Sequence, residues 1–361
     1  MNIGIIHGFV GGGGGTEKIL HAILDALEKT EHNVTLYTFS KPKIVSNNIK
    51  IKSSLPISIP SFGLYQRAME SKLISKAKDE DVLIQASGGL GIPSNPNQKI
   101  IVYAHADFSS ELNNPSTKYT GIWSLYYKKY YSMIKKFIES INDSRIEIIS
   151  NSKYVQEQIR LKFNKDSTVI YPPVSLNEFD PKKKENKITT IGRFSQEKNY
   201  DFAINVLKQT TFEHNIIGNT NTKSNILYYE KLSSLLKNQS ITNIHLLKNI
   251  EREKLVDILN KSKVYFHASK ETFGISVIEA ISAGCIPIVP DNSAHMETVP
   301  VKELRYIPNN LEDARNKLSN AISGEFDKFL DSLKNSILEY DENNFQKQFQ
   351  ISLNESLENK I

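Results

Sequence analysis

The sequence has little cysteine, little arginine and no long apolar run, and each shortage excludes something. Its 361 residues include one cysteine, Cys285, so no intramolecular disulfide can form and the fold needs no oxidising compartment. No stretch approaches the roughly 20 consecutive apolar residues that span a bilayer. The opening MNIGIIHGF lacks the basic region and apolar run of a secretory signal. A cytoplasmic protein is expected, at most peripheral on the cytoplasmic membrane face. Of the 45 basic residues only 7 are arginine, so an arginine in a tight motif carries more information than a lysine. The net charge of +5 is mild, suits a phosphate ligand or a membrane surface, and comes with no nucleic-acid motif. Seventeen glycines and 13 prolines are too few for a collagen-like or low-complexity chain.

What is present is an ordinary globular mix, 39% hydrophobic and 24% charged, in a length that suits two domains. Short apolar runs at Ile3–His7, His32–Phe39, Val82–Ala86, Ile100–Ala104 and Ile146–Ser150 alternate with helical stretches. The alternation breaks between Tyr171 and Lys187, where Pro172, Pro173, Pro181 and the run Lys182–Lys184 suggest a linker. It restarts with strands near Ile188–Ile191, His214–Ile217, Asn243–Leu247, Val264–Ala268 and Ile286–Val289. Beyond Asn310 the pattern is helical, with Phe345, Phe349, Leu353 and Leu357 spaced by four. The expected organisation is an α/β domain over 1–172, a linker over 173–187, a second α/β domain over 188–340 and a terminal helix over 341–361. Strands alternating with helices imply mainly parallel sheets.

Three segments carry chemistry. Five consecutive glycines, Gly11 to Gly15, lie between a strand and a helix start, the arrangement of a phosphate cradle; Gly13, Gly14 and Gly15 are its candidate residues. A Walker loop is disfavoured because Gly15 is followed by Thr16-Glu17-Lys18 rather than Lys-Ser/Thr. A dinucleotide site is disfavoured because the second strand ends Tyr37-Thr38-Phe39-Ser40-Lys41, with no carboxylate. In the second half, Gly192-Arg193-Phe194-Ser195-Gln196-Glu197-Lys198-Asn199 follows a strand, and Arg193 with Lys198 could hold two phosphates. A strand then gives way to Ser269-Lys270-Glu271-Thr272-Phe273-Gly274-Ile275, with Glu279 eight residues after Glu271. The N–H groups of Gly274 and Ile275 would face a diphosphate, with Glu271 at the mouth of the site and Glu279 deeper, suited to a ribose diol.

The string from Glu271 to Glu279 resembles the E-x7-E motif of glycosyltransferase family 4, whose members have the GT-B fold. The glycine loop with Glu17, the Gly-Arg…Glu-Lys-Asn string, Asn151-Ser152-Lys153 and Tyr171-Pro172-Pro173-Val174 are similar to family motifs in the same order. Tyr103-Ala104-His105-Ala106-Asp107 is similar to a segment of the dolichol-linked mannosyltransferases of the N-glycan pathway. The resemblance implies two Rossmann-like domains with parallel sheets facing across a cleft. It also implies retaining transfer of a hexose, mannose favoured, to a glycan or lipid-linked acceptor, with no required cofactor or metal. GDP-mannose is the favoured donor and a UDP-sugar the alternative. By resemblance, Arg193 and Lys198 contact the diphosphate, Glu279 the ribose, Glu271 with the Phe273, Gly274 and Ile275 backbone the donor sugar, and His105 faces that sugar. The run of five glycines and Thr16 before Glu17 depart from the family pattern.

Other readings stand beside this one. A GT-B protein could bind a nucleotide sugar without transferring it, epimerase-like or non-catalytic; an NAD(P)-dependent oxidoreductase is less favoured. Asp79-Glu80-Asp81 has the form of a metal-binding D-x-D but precedes a strand, at the amino end, whereas ligands of parallel sheets sit at carboxyl ends. Between Lys118 and Lys136, Trp123, Tyr126, Tyr127, Tyr130 and Tyr131 interleave with lysines, which suits a membrane headgroup region and equally a packed helix with solvated lysines.

Overall fold

The computed structural model describes residues 1–8, 10, 14–39, 48–53, 72–89, 91–109, 132 and 134–358. They form two compact units, Met1–Pro173 with Glu342–Ile361, and Val174–Asp341.

Unit 1 holds seven strands: β1 (Asn2–Ile6), β2 (Asn33–Thr38), β3 (Lys50–Ser53), β4 (Val82–Gln85), β5 (Lys99–Ala104), β6 (Ile146–Ser150) and β7 (Thr168–Val169). All pair in parallel, in the order β3-β2-β1-β4-β5-β6-β7. β4 and β5 are buried along their whole lengths, which is why they read as continuous apolar runs rather than as alternating ones. Helix α1 (Gly15–Glu28) presents Ile19, Leu20, Ile23, Leu24 and Leu27 to the core at helical spacing. Helix α2 (Lys153–Phe163) begins at Ser152, whose side chain accepts from the Val155 N–H and so satisfies one of the donors left open at a helix start. The chain runs outward from β1 to β3 and returns to β4 on the other side of β1. The loops after β1 and β4 therefore diverge at a topological switch point.

Unit 2 repeats this plan with β8 (Glu185–Ile191), β9 (Glu213–Gly218), β10 (Ile244–Lys248), β11 (Ser262–Phe266), β12 (Ile286–Pro290) and β13 (Arg305–Tyr306). Their order is β10-β9-β8-β11-β12-β13, again all parallel, with the switch point between β8 and β11. Helices α3 (Tyr200–Leu207), α4 (Lys223–Asn238), α5 (Arg252–Lys261) and α6 (Ile275–Ser282) connect successive strands. Three more follow: α7 (His295–Thr298), α8 (Leu311–Ser323) and α9 (Leu330–Ser336). On the other side of β8 from the switch point, β8 and β9 end close together. A Cβ on Gly218 would lie 2.1 Å from the Gly192 carbonyl oxygen, so only glycine fits there.

Residues 174–187, read from the sequence as a linker, are built into unit 2. Val174 N–H donates to the Tyr340 carbonyl at 2.9 Å and Lys182 N–H to the Asn260 carbonyl at 3.0 Å. Lys184 is partly buried, and its ammonium donates to the carbonyls of Leu259, Asn260 and Ala283 at 3.4, 3.0 and 2.5 Å, at the carboxyl ends of α5 and α6. Prolines and lysines signal a loop; they do not reveal that its ammonium caps two helices.

The last helix, α10 (Glu342–Glu358), belongs to unit 1. Phe345, Phe349 and Leu353 join the cluster formed by α1 and β1, and Gln350 donates to the Ala26 carbonyl at 2.7 Å. At its far end the Ser356 hydroxyl donates to Glu147, which also pairs with Lys99 at 2.6 Å. Phe349 is 1% exposed, so Phe349→Ala should destabilise unit 1 by about 3–5 kcal/mol. Chemical denaturation monitored by hydrogen exchange of the β1 and α1 amides checks this; a loss well under 1 kcal/mol would show that α10 is only loosely attached.

Candidate active site

The chemically distinctive residues of unit 2 lie on the two loops that leave the switch point, after β8 and after β11. The first loop carries Lys198 and the second Glu271. The Lys198 ammonium donates to Glu271 Oε1, and both side chains are 18% exposed. The same oxygen accepts from His267 Nε2 at 2.9 Å, and His267 is buried. Burial alone would raise the Glu271 carboxyl, but the His267 hydrogen bond and the Lys198 charge outweigh it and hold the group well below the usual carboxylate range. Glu271 is therefore an anion in a largely dry setting.

The loop holding it is fixed along its backbone. Glu271 N–H donates to the Ser293 hydroxyl at 3.1 Å, and the Glu271 carbonyl accepts from Ala294 N–H at 3.2 Å. Gly274 then turns the chain into α6 with φ +98°, a left-handed conformation that side chains strain to adopt. Phe273, expected at the donor sugar through its backbone, buries its ring edge-on against Tyr340 at 5.2 Å, so its side chain anchors the loop. Gly274 and Ile275 sit at the amino terminus of α6, where backbone N–H groups and the helix dipole favour an anion.

Arg193 stands apart from this pair. Its side chain is exposed, and its guanidinium bonds Glu197 Oε1 at 2.6 Å. Lys198 and Arg193 thus have separate carboxylate partners and do not converge on a shared one. Glu279 lies in the second turn of α6, with its side chain 6% exposed and Oε1 2.9 Å from the Arg252 guanidinium. Arg252 also grips Glu178 through two bonds of 2.7 and 2.5 Å. Sequence reasoning missed Arg252 and His267. Arg252 comes from a different helix, so no local spacing marks it. His267 left one signal, because Tyr265 and His267 are two apart and share a face at the end of β11.

Two further imidazoles are buried in unit 2. His295 has Nε2 2.9 Å from the Ser269 carbonyl, and its ring stands edge-on to His267 with centroids 5.1 Å apart. His214 meets the Thr190 hydroxyl at 2.8 Å. Burial pushes both down to about 3. Beside these loops a pocket of about 320 Å³ is lined by residues that include Asn199, Ser269, Lys270, Asn292 and Asn309, and it borders but does not contain Lys198 and Glu271.

In unit 1, Gly14 caps α1 and Gly15 is its first residue; Gly13 lies outside the described residues. Glu17 and Lys18 N–H groups both return to the Gly14 carbonyl, at 3.0 and 3.2 Å. His105, at the carboxyl end of β5, has Nε2 2.7 Å from the Ala86 carbonyl. His7 Nδ1 meets the Ser87 hydroxyl at 2.9 Å, joining the loops after β1 and β4. In the D-x-D string, which precedes the amino end of β4, Glu80 accepts from the Tyr37 hydroxyl at 2.6 Å and Asp81 from the Asn2 N–H at 2.9 Å. Most of 118–136 lies outside the described residues. Among the described residues no helix is long and apolar enough to cross a membrane.

Residues 13–178 match Glycosyltransferase Family 4 and residues 175–339 match Glycosyl transferases group 1. Together these matches span 13–339, and the chain belongs to glycosyltransferase family 4, with the GT-B fold. Over 216 residues this glycosyltransferase is 22% identical to a GDP-Man:Man(3)GlcNAc(2)-PP-Dol alpha-1,2-mannosyltransferase of Dictyostelium discoideum, covering 53% of its own chain and 42% of that relative. The match therefore spans under half of the relative's length. Among solved structures it resembles a glycosyltransferase from Rickettsia africae (TM-score 0.68, 16% identity, 99% of each chain). It also resembles Anabaena HepE in complex with UDP and glucose (TM-score 0.71, 13% identity, 98% and 99% of the two chains). At these identities the structural likenesses establish the fold.

The buried histidines give this glycosyltransferase a defined acid response. Their unfolded value is 6.5 and their folded value about 3, so below pH 6.5 the unfolded chain binds protons that the folded unit does not. Stability is lost as pH falls through this window, by about 1.4 kcal/mol per pH unit for each such histidine once pH is well below 6.5. Urea unfolding of unit 2 between pH 7.5 and 4.5 should show the slope, and His295→Gln should remove one histidine's share. Equal slopes in the two proteins would contradict a buried neutral His295.

Proposed function

We propose that the chain transfers a hexose, with retention and without a required metal, from a nucleotide-diphosphate sugar to a glycan or lipid-linked acceptor. The observation that carries this reading is the meeting of Lys198 and Glu271 at the switch point of unit 2, next to the amino terminus of α6. A departing nucleoside diphosphate gains negative charge as the sugar bond breaks. A cation and oriented N–H groups stabilise that charge more in the transition state than in the ground state. Lys198 and the Gly274–Ile275 backbone take this role. Arg193 joins them by leaving Glu197, an exposed pair worth about 1 kcal/mol or less. Glu279, steadied by Arg252, binds the ribose, and Glu271 accepts from the donor sugar's hydroxyls. Gly13, Gly14 and Gly15 are the proposed nucleotide-sugar-binding residues of unit 1, supported by the family resemblance. His105 contacts the transferred sugar, a role supported by its place at the carboxyl edge of its sheet and by the family resemblance.

GDP-mannose is the favoured donor, supported by the activity named for the Dictyostelium relative; a UDP-sugar is the alternative, supported by the ligands of HepE. A cytoplasmic site of action is proposed, with the tyrosine–lysine stretch at 118–136 touching the membrane that carries a lipid-linked acceptor. Incubation with GDP-mannose, UDP-glucose and UDP-galactose, with and without glycan and polyprenyl-diphosphate acceptors, tests the reading. Acceptor-dependent product with the donor's anomeric configuration supports it. Donor converted to an epimer without acceptor, or inverted product, contradicts it. With the active donor, Arg193→Ala should lower kcat/KM by about 2–4 kcal/mol of transition-state stabilisation. Glu279→Ala should weaken binding of the nucleoside diphosphate itself, and unchanged affinity by calorimetry would remove the ribose assignment.

A further inference from the structure

Glu271 faces two donors with one oxygen. Lys198 Nζ and His267 Nε2 both meet Oε1, and in the proposed reaction Lys198 is required elsewhere, on the diphosphate. When Lys198 turns to phosphate, the carboxylate keeps one side-chain donor of those two. That donor is itself held. His267 Nδ1 lies 3.2 Å from the Tyr265 hydroxyl, and that hydroxyl lies 2.8 Å from the hydroxyl of Ser276, the second residue of α6. Ser269 Oγ lies 3.2 Å from His267 Nε2, on the same side as the carboxylate. An ionised carboxylate is only an acceptor, so Nε2 carries the proton and donates to it in every protonation state of the ring. The imidazole is 2% exposed, so it cannot swing away into water. A run of contacts at hydrogen-bonding distance thus links α6, Tyr265, His267 and Glu271.

We propose that His267 is a positioning residue: it keeps the Glu271 carboxylate aimed at the donor sugar's hydroxyls after Lys198 has exchanged Glu271 for phosphate. This rests on the proposed donor site. Its consequence is selective. The nucleoside diphosphate alone does not use Glu271, whereas the nucleotide sugar does. Loss of His267 should therefore lower affinity for the sugar conjugate and spare the diphosphate.

The test is calorimetric titration of the full chain with two pairs, GDP against GDP-mannose and UDP against UDP-glucose. The variants are wild type, His267→Leu, His267→Gln, Glu271→Gln and the His267→Leu/Glu271→Gln double variant. The pair that wild type binds is the one read. A hydrogen bond to a charged group is worth enough that His267→Leu should lower affinity for the nucleotide sugar by about tenfold or more. Affinity for the diphosphate should stay within about twofold by the same argument, since the diphosphate makes no contact with Glu271 and His267→Leu keeps the Glu271 charge that competes for Lys198. Glutamine can place an amide N–H near the position of Nε2, so His267→Gln should recover most of the difference. In the double variant the leucine should add little to the loss caused by Glu271→Gln, because His267 acts through Glu271. A His267→Leu protein with wild-type preference for the sugar conjugate overturns the proposal. So does an equal loss of both ligands that glutamine does not rescue, which marks a merely structural histidine. Wild type that binds neither pair overturns the donor-site reading itself, a result separable from the first two.

Discussion

A carboxylate and an ammonium group share a largely dry space at the carboxyl edge of the unit 2 sheet, and the loops around them are shaped to keep both satisfied. Glu271 and Lys198 reach each other because β8 and β11 are adjacent while the chain leaves them in opposite directions. The switch point supplies the crevice, and the loop after β11 is pinned through its backbone to Ser293 and Ala294. Removing either charge alone would leave the other poorly solvated, so the two hold each other in place by mutual neutralisation. In the proposed reaction, a diphosphate arriving at α6 would offer Lys198 a second anion of higher charge and free Glu271 for a different partner.

Helix α6 connects this exchange to the rest of the unit. Its amino terminus faces the crevice, Glu279 projects from its second turn to Arg252, and its carboxyl end is capped by the partly buried Lys184. A cation at the carboxyl end and an anion at the amino end both suit the helix dipole. The eight residues of α6 thus have an electrostatic partner at each end once a phosphate ligand binds. Ser276 adds the third connection, through Tyr265 to His267.

Much of this was legible before any coordinates. Strands buried on both faces appear as largely apolar runs, so β1, β4, β5 and β12 could be read directly. β3 could not, because Lys50–Ser53 is a polar edge strand with almost no buried surface, and β7 and β13 are two residues each. Lys198, Glu271 and Glu279 were visible because local spacing around glycines carries their chemistry. Arg252 and the pairing of Lys198 with Glu271 were not visible, because they are tertiary facts set by strand order. The same limit hid Lys184: a basic run between prolines has the composition of a linker, and only the placement of two helix ends makes one of its lysines a cap.

The most direct test of the central claim is the affinity of Glu271→Gln and Lys198→Met for the nucleoside diphosphate alone, compared with wild type by calorimetry. If Glu271 and an incoming diphosphate compete for Lys198, neutralising Glu271 should tighten diphosphate binding while Lys198→Met weakens it. An affinity order of Glu271→Gln above wild type above Lys198→Met is the predicted result. A Glu271→Gln protein that binds the diphosphate no more tightly than wild type would contradict the exchange at the heart of this account.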